Sequence, residues 1–188
     1  MFGAFAAGVA TWTLLEYVIH RWLGHDRRLR RNPFGIEHLR HHAQGDYFAA
    51  ASKKLAIAVV VTVVLGIPVI RLAGLNVGVA YLAGLMGFYA VYEWLHLRNH
   101  THPGRGPYGH WARRHHFHHH FVDPRVNHGV TTPLWDVVFR TYRRPGRIKV
   151  PARLSMAWLL DPATGTVRAE HADSYELARP GWELRGEP

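Results

Sequence analysis

An all-α, integral-membrane fold, with apolar helices carrying a polar helical cap, is predicted by three observations. Three apolar stretches are long enough to lie in a bilayer. Ten of the 16 histidines fall into four short clusters, and 22 of the 23 Lys and Arg residues fall on one side of the apolar stretches. The length of 188 residues divides into a membrane-embedded unit over residues 1–150 and a soluble C-terminal tail over 151–188. The chain has no cysteine, which excludes a disulfide framework, a thiolate metal site and a Cys nucleophile. A formal charge of +10 would suit nucleic acid in a soluble protein. Beside apolar helices it suits anionic lipid headgroups instead, and no nucleic-acid partner is expected.

Residues Met1 to Ile19 are apolar except for Thr11, Thr13 and Glu16. They lack the basic start of a cleaved signal peptide and predict a retained helix. A basic segment, Arg27 to Asn32, follows and is broken by Pro33 and Gly35. Glu37 to His42 then predicts a short helix or a single turn. Leu55 to Ile70 is the second apolar stretch, only 16 residues long and with Pro68 near its end. Leu72 to Tyr92 is the third, with Gly78, Gly84 and Gly87 as close-packing positions. It is expected to continue as helix through Glu93 to His100. The second and third stretches predict either two full spans or a re-entrant hairpin, with buried core helices as the remaining alternative.

Thr101 to Gly109 is a loop by its prolines and glycines, and His110 to Phe121 resumes as helix. Thr132 reads as an N-cap with Pro133 at the first helical position, opening a helix through Phe139. Its apolar side is expected against the membrane face or under the histidine clusters. From Pro145 on, prolines, glycines and mixed charge predict a tail without catalytic signals. Trp12, Tyr17, Trp22, Tyr92, Trp94 and Trp111 are expected as interfacial anchors, or as the lining of a lipid tunnel. Basic residues run from Arg21 to Lys54 and from Arg98 onward, with Arg71 alone on the other side, so the positive-inside rule makes the first side cytoplasmic. The high ratio of Arg to Lys hints at a GC-rich bacterial genome and so at a bacterial inner membrane.

The histidines form four clusters: His20 and His25; His38, His41 and His42; His96 and His100; His116, His119 and His120. Imidazole is the commonest neutral metal ligand, and residues three or four apart share a helix face. His20 and His25 are five apart, so the first helix is expected to end or unwind between them, near Gly24. Ten imidazoles exceed the positions around one ion and imply two. Adventitious histidine-rich tracts exist, but these clusters are dispersed along the chain from residue 20 to residue 120. The last run leaves the register open, because His115, His118 and His119 have the same spacing.

Glu16, Glu37 and Glu93 lie four, one and three residues before a cluster histidine. Glu16 and Glu93 are placed to orient the second ring nitrogen of His20 and His96, or else to pair with Arg21, Arg98 or Arg113. Asp136 is expected to cap its helix or pair with Arg140. His102, His110, His115, His118 and His171 are surface or supporting groups rather than ligands. An all-nitrogen site suits Fe, Zn, Cu or Ni. Iron is favoured by a membrane-facing site made for oxygen chemistry on C–H bonds, with zinc as the alternative occupant of a purified sample. A zinc hydrolase would want His-Glu-x-x-His, which Glu37 before His38 matches poorly. A non-catalytic metal binder or transporter would place its ligands nearer the bilayer midplane.

Five stretches, EYVIHRWLGH (16–25), EHLRHH (37–42), EWLHLRNH (93–100), RRHHFHHHF (113–121) and NHGVTTPLWDVVFRTY (127–142), resemble the fatty acid hydroxylase and sterol desaturase superfamily of membrane histidine-box enzymes. The resemblance implies a non-haem di-iron oxygenase that hydroxylates or desaturates a lipid such as a fatty acyl chain or sterol. It would use O2 and electrons from a separate reductase, since no haem or flavin segment is visible. Histidine boxes are shared with carotenoid ring hydroxylases, which gives that activity as an alternative. The resemblance selects His116, His119 and His120 as the register. It also implies that His20, His25, His38, His42 and His119 surround one ion, and His41, His96, His100, His116 and His120 the other. The family usually has four membrane helices in two hairpins, whereas one apolar segment precedes the first box here, so a helix is missing or the start lies upstream. His128 stands where the family usually has an aromatic residue, as an extra ligand or a supporting contact.

Overall fold

The computed structural model describes residues 1–178. Helix α1 (Phe2–Val18) runs directly into a π-helical turn, Ile19–His25, so that residues 2–25 form one continuous apolar rod. Helix α2 (Pro33–Gln44) starts where breakers were expected. Asn32 accepts the Gly35 amide at 3.0 Å as N-cap, and Pro33 occupies the first turn, where its missing N–H is not needed. Helices α3 (Ala51–Ala73) and α4 (Leu75–Thr101) form an antiparallel hairpin. The second stretch is therefore longer than its 16 apolar residues, because the polar start at Ser52 to Lys54 is helical too. The turn between them is Gly74, whose φ of 88° favours a residue without Cβ.

Among the described residues, three helices are thus long and apolar enough to cross a membrane. On α3, Val59, Val60, Val63, Val64 and Ile67 stay 49–61% exposed, a surface that only lipid would cover favourably. The contacts between helices use small residues, as expected where apolar side chains gain nothing by leaving lipid. A Cβ on Gly8 would lie 2.0 Å from the Tyr81 carbonyl oxygen, and one on Gly84 2.1 Å from that of Phe5, so α1 and α4 touch backbone to backbone. Gly78 likewise receives Ile70 of α3. Gly87, the third expected close-packing position, faces open space.

Helix α5 (Gly106–Phe121) lies beneath the ends of these rods, followed by the short α6 (Leu134–Val138), which begins two residues after Thr132. The segment expected as a free tail is instead docked. Strand β1 (Ile148–Val150) pairs in parallel with β2 (Tyr175–Leu177). Ile148, Val150, Leu154, Leu159 and Tyr175 bury Phe117 and Phe121 of α5. Trp158 donates to the Asn99 carbonyl at 3.2 Å and Arg153 to that of Ala43 at 2.9 Å, fastening the segment to α4 and α2. Of the expected interfacial anchors, Trp12 and Tyr17 are buried, whereas Trp22 and Trp94 are exposed.

The glycine contacts give opposite expectations for one substitution. Gly84→Ala should lower the unfolding midpoint in detergent by the equivalent of about 1–3 kcal/mol through overpacking. Gly87→Ala on the same helix should leave the midpoint unchanged or raise it slightly through helix propensity. Equal effects at the two positions would contradict the packing described.

Candidate metal centre

The π-turn explains how His20 and His25 share a face. In an α-helix five residues place side chains about 140° apart. The wider i→i+5 turn brings them back together without ending the helix, as happens most often at functional sites. α2 supplies His38, His41 and His42, α4 supplies His96 and His100, and α5 supplies His116, His119 and His120. The rings form two groups in which one nitrogen from each member lies within 4.8 Å of those of the others. One holds His20, His25, His38, His42 and His119; the second holds His41, His96, His100, His116 and His120. All are buried except His25, which is partly so. His42 and His120 stack at 4.0 Å between centroids with parallel planes, joining the groups. In the ambiguous run, His115 and His118 belong to neither group.

Three rings are oriented by backbone carbonyls. Nδ1 of His20 meets the His128 oxygen at 2.5 Å, that of His41 the Tyr47 oxygen at 2.6 Å, and that of His119 the Val126 oxygen at 2.8 Å. A carbonyl accepts only from N–H, so each of these rings carries its proton on Nδ1 and a lone pair on Nε2. Burial, reinforced by neighbouring imidazoles, holds His38, His42, His116, His119 and His120 well below the ordinary histidine range. Burial also lowers His41, to about 4. These rings are neutral at physiological pH.

Neutral rings so close together lack partners. Nε2 of His25 lies 2.8 Å from Nε2 of His38 and 2.9 Å from Nε2 of His119, and one N–H cannot serve both contacts. In the second group, Nε2 of His96 lies 3.0 Å from that of His41, and Nε2 of His100 lies 2.8 Å from that of His116. Nε2 of His20, His42 and His120 is buried with no hydrogen-bond partner. Two nitrogens at right angles on one ion, each about 2.05 Å from it, would be about 2.9 Å apart. The donor sets therefore fit metal ions in number, protonation and spacing.

The carboxylates behave differently from expectation. Glu16 does not reach His20; it accepts from the Val130 and Thr131 amides and the Thr131 hydroxyl. Glu93 pairs with Lys54 rather than orienting His96, and Glu37 takes Lys53 and Tyr47 at the surface. Glu37 is thereby turned away from a general-base role. Asp136 does not pair with Arg140. It accepts the His128 amide at 2.9 Å, the Gly129 amide at 2.8 Å and the Thr141 hydroxyl at 2.7 Å, and faces His115 at 3.2 Å. Burial opposes its charge, but the bonds from His115, Gly129 and Thr141 prevail and hold it down to about 2.

Two buried carboxylates thus clamp residues 127–131 from opposite sides, and that loop aims the His128 carbonyl at His20. The His128 ring packs 5.5 Å from His20 and 5.2 Å from His119, outside both groups, and burial pushes it down to about 3. Spacing rules miss this clamp because Glu16 is more than a hundred residues from Thr131. Its one sequence signal is the stretch from Asn127 to Asp136.

A cavity of about 580 Å³ opens beside the second group. Trp12, Ile57, Tyr89 and Tyr92 give it an apolar lining, and His38, His41 and His96 line it too.

The buried histidines make the metal-free protein acid-sensitive. Their folded pKa values lie below the unfolded value of about 6.5, so their contribution is complete above that pH and lost as pH falls. Each of the six on α2 and α5 adds to the loss below that point, with His41 contributing down to about pH 4. Metal-stripped protein should lose thermal stability steeply between pH 6.5 and 5, measured by unfolding in detergent. A flat profile there would show that these rings are not buried neutral.

The fatty acid hydroxylase family profile matches residues 5–141. The chain is 32% identical over 146 residues to a fatty acid 2-hydroxylase of Rattus norvegicus, covering 74% of this chain and 39% of that protein. It is 31% identical to the dihydroceramide fatty acyl 2-hydroxylase FAH2 of Arabidopsis thaliana, covering 80% and 63%. The ceramide very long chain fatty acid hydroxylase of Saccharomyces cerevisiae is 31% identical, over 75% of this chain and 38% of that one. Among solved structures, the visible hydroxylase domain of full-length scs7p superposes with a TM-score of 0.59 at 28% identity, covering 76% of this chain and 56% of that chain. The chain spans between 38% and 63% of the length of these curated relatives. With the family's profile matched from α1 to just beyond α6, the chain belongs to the fatty acid hydroxylase family.

Proposed function

We propose that the chain is a membrane-bound non-haem di-iron oxygenase that hydroxylates an acyl lipid, the two histidine groups holding the two ions. The observation that carries this proposal is the apolar cavity between membrane helices that His38 of one group and His41 and His96 of the other help to line. Iron bound there would supply activation of O2 and oxidation of a C–H bond, with electrons from a separate reductase. Five nitrogen donors per group exceed the four of a tetrahedral zinc site, which favours iron.

The protein's own share is positional. The backbone carbonyls of His128, Tyr47 and Val126 fix three rings as Nε2 donors, and Glu16 and Asp136 hold the loop that provides the first of them. Trp12, Tyr89 and Tyr92 exclude water and lay an alkyl chain against the imidazoles. The relatives are by name acyl 2-hydroxylases and ceramide fatty acid hydroxylases, which points to carbon 2 of a fatty acyl chain. Nothing among them supports a carotenoid substrate.

Protein purified anaerobically should contain two irons per chain, and lipid mass spectrometry should show a hydroxylated acyl product only in cells that carry the gene. His96→Ala and His119→Ala, one from each group, should each abolish the product and lower the bound iron. Metal binding with no change in lipids would overturn the assignment.

By the positive-inside rule the basic loops favour a cytoplasmic position for the histidine groups, with the α3–α4 turn on the opposite side. A reporter fused after Gly74 should accordingly behave as external, and cytoplasmic behaviour would reverse the topology.

A further inference from the structure

The cavity wall is mostly apolar, yet it carries two ion pairs, Lys54 with Glu93 and Lys53 with Glu37. Charge at the head of membrane helices is costly and marks function when it faces a cavity. Lys53 is a surface group with a 59% exposed side chain, whereas Lys54 and Glu93 are enclosed to 30% and 26% exposure. The Lys54 ammonium sits 5.6 Å from the centre of the Phe48 ring. That ring packs in turn 4.9 Å from His41 and 5.5 Å from His96, so one aromatic ring separates the ammonium from the imidazoles. Glu93 and His96, three residues apart on α4, share a helix face. An ammonium has three donors, of which the Glu93 carboxylate uses one.

We propose that Lys54, balanced by Glu93, binds the C1 oxygen of an acyl lipid and so sets which carbon reaches the histidine groups. The proposal rests on the hydroxylase function above and adds a positioning residue to it. An acyl lipid is a long apolar chain with one oxygen-bearing end, and the cavity combines an apolar lining with the Lys54–Glu93 pair, which only the Phe48 ring separates from the imidazoles. Binding the chain in the reverse sense would cover the Lys54–Glu93 pair with hydrocarbon and strip it of water without compensation. The head therefore stays beside the Lys54–Glu93 pair, and oxidation falls next to the carbonyl rather than in mid-chain.

The test uses the full chain in phosphatidylcholine nanodiscs, metal-free, titrated with palmitate and with N-palmitoylsphingosine. Of these two, the tighter ligand identifies the class of lipid that supplies the oxygen. K54M should weaken palmitate binding about tenfold, as loss of a charge-assisted hydrogen bond does. K54R should restore it, and K149M, remote from the cavity, should not change it. E93Q should tighten palmitate binding, because the ammonium loses its internal competitor. In the iron-loaded enzyme, K54M should spread hydroxylation to carbons farther along the chain. A pair that merely props α3 against α4 would make K54M and E93Q weaken binding together, and that result, or no response to K54M, overturns the proposal. If K54M fails to fold, the sign of the E93Q effect decides. Binding that responds to both substitutions while the wild type oxidises no lipid supports the head-group site and overturns the hydroxylase assignment alone.

Discussion

Ten imidazole lone pairs brought together out of water are the constraint on which the rest of this structure depends. Each buried acceptor without a donor costs about 1–3 kcal/mol. In the first group the rings cannot all relieve one another, because His119 is committed at Nδ1 to the Val126 carbonyl and meets His25 through a bare Nε2. A cation turns that repulsion into attraction, so metal binding and closure of the cap share one free energy. The main hydrophobic cluster packs on α5 around Phe117, Phe121 and Ile148 and holds that helix in place.

Neutral rings must also be aimed, which is where the two buried carboxylates act. Glu16 belongs to the apolar rod and Asp136 to the short α6, and both close on residues 128–131 through main-chain amides. Tyr17 and Thr141 add a hydroxyl contact at 2.9 Å, and Trp135 donates to Thr13 at 3.0 Å, so α1 and α6 are tied at several heights. His20 is therefore positioned by a carbonyl whose own peptide is gripped by Asp136. The carboxylates act one step further from the rings than spacing along a helix suggests.

Much of this was legible in the sequence where the physics is local. Helical periodicity found the histidines of α2, α4 and α5, because three- and four-residue spacings survive any tertiary arrangement. It also placed the three apolar rods, although the polar start of α3 hid four helical residues. Legibility failed where a choice is made by distant contacts. Pro33 reads as a breaker or a starter according to whether Asn32 is free to cap, and the five-residue gap from His20 to His25 reads as a helix end until a π-turn is allowed. Gly87 looks like Gly84 in a sequence, but only Gly84 has the Phe5 carbonyl against it. The apparent tail gave no periodic signal because its elements are three residues long, yet Ile148 and Leu159 are fully buried.

The placement of exposed apolar residues explains why such a polar centre sits where it does. Leu134, Val137 and Val138 on α6 are 51–58% exposed, close to Phe139, which stacks on Tyr17 at 5.0 Å. That patch continues the lipid-facing surface of the rods onto the cap, so the cap leans into the headgroup layer instead of standing clear of it. On the proposed function, an acyl chain would move sideways from the bilayer past Ile57 and Tyr89, which line the cavity together with His96. Only its head must stay near charge, and Lys53, Lys54, Glu37 and Glu93 provide that at the same depth. If the substrate is the acyl lipid proposed, the depth of the histidine groups matches its two ends, one of which must remain in hydrocarbon while the other remains polar.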